Sequence, residues 1–165
     1  MSNLERTEYK ELPLKNGMIA LVDSEDFDFL NQWTWTARKA TNIHYYAQRK
    51  RWVNGKKKYI KMHRLIMNAP DNMVVDHINR NTLDCRKSNM RLCTVAQNNC
   101  NRKAYGKSKY LGVTIKDNKP IAQITHNKKV YYLGTFESEE AAALAYNEAA
   151  LKYHGEFANL NVLES

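Results

Sequence analysis

The sequence predicts an α+β fold built as two small domains, residues 1–104 and 105–165. Three observations point to it. Val74–Asn98 (VVDHINRNTLDCRKSNMRLCTVAQN) reads as strand, polar loop, strand and helix start. Tyr110–Leu133 holds three strand-like runs separated by short polar turns, and a long alanine-rich helical run follows them. Between these two patterns, residues 99–109 (NCNRKAYGKSK) are polar and basic without apolar periodicity, as in a linker.

The elements follow in order. Asn16-Gly17 is a turn dipeptide, and Met18–Val22 is a strand after it. Asp23-Ser24-Glu25-Asp26 starts a short helix through Leu30, with acids near its N-terminus; a solvated turn suits these acids better than a metal site. Trp33–Thr36 alternates aromatic and hydroxyl residues and is expected to be a strand with core tryptophans. Ile43–Trp52 and Lys57–Met62 flank Asn54-Gly55, a strong hairpin signal. His63–Met67 reads as a short helix or strand ended by Asn68-Ala69-Pro70. His63 could be a ligand, a phosphate contact or a core histidine. Further on, Tyr110–Lys116, Ile121–Thr125 and Val130–Leu133 form an antiparallel sheet. Ser138 caps a helix running from Glu139 to His154, and Gly155 ends it. Its alanines at 141, 142, 145, 149 and 150 let it lie close on the sheet, leaving the other sheet face open.

Charge narrows the partner. Residues 1–37 hold three Lys/Arg and seven Asp/Glu, residues 38–129 hold 22 and four, and residues 130–165 hold one and six. A basic middle between acidic ends is the footprint of a polyanion binder. The basic hairpin supplies candidate phosphate contacts; Arg49, Arg51, Lys57, Arg64 and Arg80 are the candidates in this half. The charged N-terminus is not a secretory signal, and no run is long and apolar enough to span a membrane. Three cysteines without a Cys-x-x-Cys pair fit a reducing cytosol and argue against zinc. No coiled-coil seam is present, so a monomer is expected.

The chemistry concentrates in Val74–Asn98. Asp76 is a hard oxygen donor of the kind magnesium prefers, and His77 can take a proton from water near neutral pH. Neighbours on a strand point apart, so one of the two must sit where the strand breaks. Asn89 can hold the loop rigid through backbone hydrogen bonds. Thr94-Val95-Ala96-Gln97 has the form of a capping box, which puts Asn98 in the first helical turns, where its amide oxygen could face Asp76.

Asp76-His77, Asn89 and Asn98 resemble the motif of the HNH nucleases, whose core is a ββα-metal (His-Me finger) fold. With His63-Arg64-Leu65-Ile66 upstream, which resembles phage and intron-encoded homing endonucleases of this group, the likeness covers about residues 9–103. The resemblance implies Asp76 and Asn98 as ligands of one magnesium or manganese ion, His77 as general base and Asn89 as the loop-fixing residue. Asn98 in the last position resembles the HNN subtype. Over residues 108–161, Tyr110-Leu111-Gly112-Val113, Ile121–Ile124, Tyr131–Phe136 and Glu139–Tyr146 through Asn161 resemble the APETALA-type (ethylene-response-factor) DNA-binding domain. That family lays its sheet in the major groove, which implies Leu111, Thr114, Lys116, Gln123, Thr125, Tyr132 and Thr135 as contacts. Leu111, Thr114 and Thr125 stand where the plant domains carry arginines, so the plant target is not implied. The expectation is therefore a metal-dependent endonuclease on double-stranded DNA, of phage or homing type, in the cytosol of an infected bacterial host. The alternatives are an inactive DNA-binding regulator and an RNA-directed protein, the latter disfavoured by the narrow major groove of RNA.

Overall fold

The computed structural model describes residues 9–41, 44–104 and 106–163. Ile43, at the start of the first basic run, lies outside them, as do the first eight residues and the last two. The chain forms two compact units, one ending at Thr94 and the other beginning at Val95. The sequence reading puts the domain boundary later, at 104/105. Both units combine small antiparallel sheets with helices. Among the described residues, no helix is long and apolar enough to cross a membrane.

In the first unit, β1 (Tyr9–Pro13) pairs antiparallel with β2 (Ile19–Asp23), and α1 (Ser24–Asn31) follows. The strand β1 has no clear pattern in the sequence, because only Leu12 of its five residues is buried. A three-stranded sheet comes next, with β4 (Tyr45–Val53) between β3 (Thr36–Lys39) and β5 (Lys56–Lys61). Asn54 and Gly55 make the β4–β5 turn with φ of 50° and 69°, the mirror-image geometry that suits strand twist. Leu12, Val22, Leu30, Trp35 and Met62 fill the core.

The strand expected over Trp33–Thr36 begins only at Thr36, the first residue paired with β4. Trp35 spends its carbonyl on Lys15 N (2.8 Å) and its indole N–H on Leu30 O (2.8 Å), so its backbone closes a corner rather than a ladder. Asn16 braces that corner, bonding both N and O of Ala37. His63 falls on a helix, α2 (Met62–Ile66). β6 (Val74–His77) and β7 (Met90–Cys93) form a two-stranded antiparallel hairpin.

The second unit begins with α3 (Val95–Asn98), a single turn. Its sheet has β9 (Lys119–His126) between β8 (Val113–Lys116) and β10 (Lys129–Thr135). Asp117-Asn118 and Asn127-Lys128 turn the chain with positive φ at all four residues. The helix α4 (Glu139–His154) is capped by Ser138 Oγ, which accepts from Ala141 N at 3.1 Å. Its buried face is Ala142, Ala143, Tyr146, Ala149 and Ala150. Small side chains there let the helix approach the sheet, and Val113, Ala122 and Ile124 meet it.

The first strand of this sheet starts at Val113 rather than Tyr110. The reason is Asn161, whose side chain accepts from Leu111 N (2.6 Å) and donates to Leu111 O (3.1 Å), taking both backbone groups away from a ladder. Leu111 is consequently buried against Ile124 and Tyr146, so its expected place among DNA contacts is corrected to the core.

Gly112 sits in this corner with φ +70°, and a Cβ there would collide with the Tyr146 ring and with Gln123 O. Gly112→Ala is expected to lower the stability of the second unit by several kcal/mol, roughly the sum of an unfavourable φ and an overpacked core. Thermal unfolding followed by circular dichroism would measure it.

Candidate active site

The β6–β7 hairpin sets the site's geometry. In its register Asp76 faces Arg91 and His77 faces Met90. Both Asp76 and His77 are 4% exposed, at the very end of β6. The chain turns directly after them, and Arg80 N donates to His77 O at 2.8 Å. Arg91 grips Asp76 through two donors, Nε at 2.9 Å and Nη2 at 2.8 Å, both onto Oδ2.

His77 points among rings. His63 from α2 meets it edge-on, with centroids 5.3 Å apart and planes at 85°. Tyr46 from β4 lies 4.8 Å from His63 and 6.3 Å from His77. Burial pushes the His77 imidazole down to about 4, with His44 adding to the lowering and the Asp76 and Asp84 carboxylates opposing it. His63 is pushed down to about 3 by burial, helped by His77, Lys61 and Arg64. Burial and the charge of Asp76 raise the Tyr46 phenol. Burial thus favours the neutral form of both imidazoles at physiological pH.

The loop between the two strands is cross-tied. Asn89 is buried, its Oδ1 accepting from Asn79 N (2.9 Å) and its Nδ2 donating to Asp84 O (2.9 Å). Its carbonyl accepts from Ile78 N (2.8 Å). Asp84, 1% exposed, accepts from Arg86 Nε and Nη2 (2.7 Å each) and from Asn79 Nδ2 (2.8 Å). Burial raises its carboxyl, but Arg86 and Asn79 outweigh that and hold it below its ordinary value. Asp84, Tyr46 and Arg91 have no counterpart in the sequence reading. An acid two residues before an arginine was the available signal for Asp84; a tyrosine on a strand 31 positions before His77 offers none.

The remaining candidates fall into separate places. Arg49 stacks its guanidinium over Trp33, 4.1 Å from the ring centroid, so it packs on an aromatic surface as well as carrying charge. Arg64 donates to the carbonyls of Met73 (2.8 Å), Ala69 (3.1 Å) and Pro70 (2.9 Å), closing the end of α2. Arg51 and Lys57 are exposed on the hairpin, and Arg80 is half-buried in the loop with φ of 64°. Asp23, Glu25 and Asp26 bind Lys87: Asp23 Oδ2 accepts its backbone N–H (2.8 Å), and the other two pair with its ammonium. Asn98 is half-buried as the last residue of α3, in the second unit. In that unit Thr114, Lys116, Gln123, Thr125, Tyr132 and Thr135 are all exposed. They alternate with the residues under α4, and Tyr132 pairs with Gln123 across the sheet. Tyr132 and Thr135 hydroxyls bond at 2.7 Å.

Among the described residues, no three His, Cys, Asp or Glu side chains gather as metal ligands. Asp76 contributes a hard oxygen anion at this site, its Oδ2 held by Arg91. That suits an ion such as magnesium, which keeps waters and completes its shell with substrate phosphate.

Residues 62–100 match the profile of a family described as HNH endonuclease. The chain is also 32% identical to an uncharacterised HNH endonuclease of Acanthamoeba polyphaga mimivirus, over 69% of this chain and 68% of that protein.

Removing the Asn89 side chain leaves Asn79 N and Asp84 O without the partners it provides. Asn89→Ala is expected to cost about 1–3 kcal/mol for each buried group left unbonded. Urea unfolding monitored by tryptophan fluorescence would measure the loss.

Proposed function

This chain belongs to the HNH endonuclease family, and from that premise we propose that it hydrolyses phosphodiester bonds in double-stranded DNA with His77 as the general base. The observation that carries the reading is the end of β6, where a buried carboxylate and a buried imidazole occupy consecutive positions just before the chain turns. A neutral imidazole accepts the proton of the attacking water. An incoming phosphodiester anion favours the protonated form, which raises the basicity of His77 from its low resting value at the moment it is needed. Asn89 keeps the loop closed behind it, and Arg91 holds the Asp76 carboxylate in one orientation.

Asp76 is the residue of the first unit that would hold one magnesium or manganese ion, as in the ββα-metal sites of the HNN subtype, which Asn98 in the last motif position resembles. Bound there, the ion would supply charge compensation for the strained phosphate and the departing 3′ oxygen. His63-Arg64-Leu65-Ile66 supports a phage or homing type of enzyme, and the three free cysteines suit a reducing cytosol.

The second unit reads best as an APETALA-like DNA-binding module. Supporting this, Thr114, Lys116, Gln123, Thr125, Tyr132 and Thr135 share the sheet face that α4 leaves uncovered. In the other unit Arg51 and Lys57 are the exposed cations best suited to phosphates, whereas Arg64 serves the fold.

The decisive experiment is nicking of supercoiled plasmid by the full chain, with and without magnesium. Wild type is expected to cut only with a divalent ion, and His77→Ala to lose at least about a hundredfold in rate, the usual contribution of a positioned base. DNA binding without nicking under any divalent metal would sink the nuclease reading and leave a DNA-binding regulator. Lys116→Ala is expected to weaken DNA binding and to reduce the slope of log affinity against log salt by about one, with the cutting rate at saturating DNA unchanged. Fluorescence anisotropy across a salt series would read the slope.

A further inference from the structure

At the histidine assigned as base, three rings from three elements meet, its own among them. The backbone of His77 is held by its pairing with Met90 and by the turn bond from Arg80 N. Neither contact limits rotation about the bond from Cβ to the ring. That torsion is broad and roughly two-fold in histidine. A general base must nevertheless keep one nitrogen within hydrogen-bond reach of the water it activates.

Two neighbouring rings bear directly on that torsion. His63 is 5% exposed and presents its imidazole edge-on to His77. Tyr46 leans on both rings, and Lys61 Nζ lies over the Tyr46 ring, 5.0 Å from its centroid. His63 Nδ1 is buried and has no hydrogen-bond partner among the described residues, so that atom's side of the ring touches its surroundings by packing alone. The helix that brings His63 in is closed by the three carbonyl bonds of Arg64. Two adjacent residues thus divide the work: Arg64 fixes the end of α2, and His63 reaches the site.

Resting on the nuclease reading, we propose that His63 is a positioning residue for DNA cleavage, its buried ring setting the plane of the His77 imidazole through edge-to-face contact. The shape of the ring carries this role, and a phenyl ring can take it over.

The test compares His63→Ala and His63→Phe in the full chain, using magnesium-dependent plasmid nicking at saturating DNA, DNA affinity, and side-chain NMR of the His77 ring. His63→Ala is expected to lower kcat about a hundredfold, the scale of an ångström-sized misplacement, with DNA affinity unchanged and the His77 ring signals shifted or broadened. His63→Phe is expected to restore both the rate and the ring signals. The proposal is overturned if folded His63→Ala cuts at the wild-type rate, if it loses affinity rather than rate, or if folded His63→Phe is as slow as His63→Ala. Should His63→Ala fail to fold, His63→Phe decides: a near-wild-type rate supports the role and a dead enzyme refutes it. If wild type itself does not nick, the functional reading fails, and the NMR comparison still decides whether His63 holds the His77 ring.

Discussion

The buried carboxylate of Asp84 is the constraint on which the first unit's geometry depends. It gathers Arg86 and Asn79, while its own carbonyl receives Asn89. Arg86 also stacks over Tyr9 of β1, 5.0 Å from the ring centroid, and the backbone on either side of Asp84 bonds to Leu21 of β2. One acid therefore ties the long loop between β6 and β7 to the N-terminal hairpin. A buried ion pair of this kind adds little net stability over an apolar filling, but removing one partner is costly. What it provides is a single register. With the loop closed in one way, Asp76 can only face Arg91 and His77 can only face Met90.

Register alone does not make a base. As the proposed base, His77 must be dry enough to be neutral and open enough to meet water. The structure meets the first demand by burial against Tyr46 and His63. Burial lowers the imidazole's affinity for a proton, and nearby Asp76 and Asp84 limit how far it falls. The same low-dielectric surroundings strengthen any interaction with an incoming phosphate. Arg91 plays a parallel part for Asp76, compensating a charge that burial would otherwise penalise.

The second unit solves a different problem with equally local means. A 16-residue helix covers one face of a three-stranded sheet, and its alanines let it sit close. Asn161 sews the C-terminal segment to Leu111 and to Asn147, closing the core at the start of the sheet. The consequence is a sheet whose other face is left to polar and aromatic side chains, with a bulge between Tyr132 and Gly134 that re-aims the end of β10. Such a face presents hydroxyl, amide and ammonium groups in a regular array, the chemistry that duplex base edges and phosphates accept.

Much was legible in the sequence by itself. The Asn54-Gly55 hairpin, the strands around the loop and the capped helix from Glu139 to His154 are local: turn chemistry, alternation and capping depend on residues a few positions apart. The strand end that carries Asp76 and His77 and the loop that carries Asn89 are local in the same sense. The alternation of β9 was enough to put Gln123 and Thr125 on one face. Tertiary structure decided the rest, because those contacts join residues far apart in the chain. Leu111 belongs to the core because Asn161, fifty positions later, takes its backbone groups. Trp35 ends a corner because Lys15 claims its carbonyl. Arg64, a cation in a basic stretch, is consumed by three carbonyls that only the folded turn brings together. His63 had three open readings as a residue type, and packing against His77 and Tyr46 is what gives it a place.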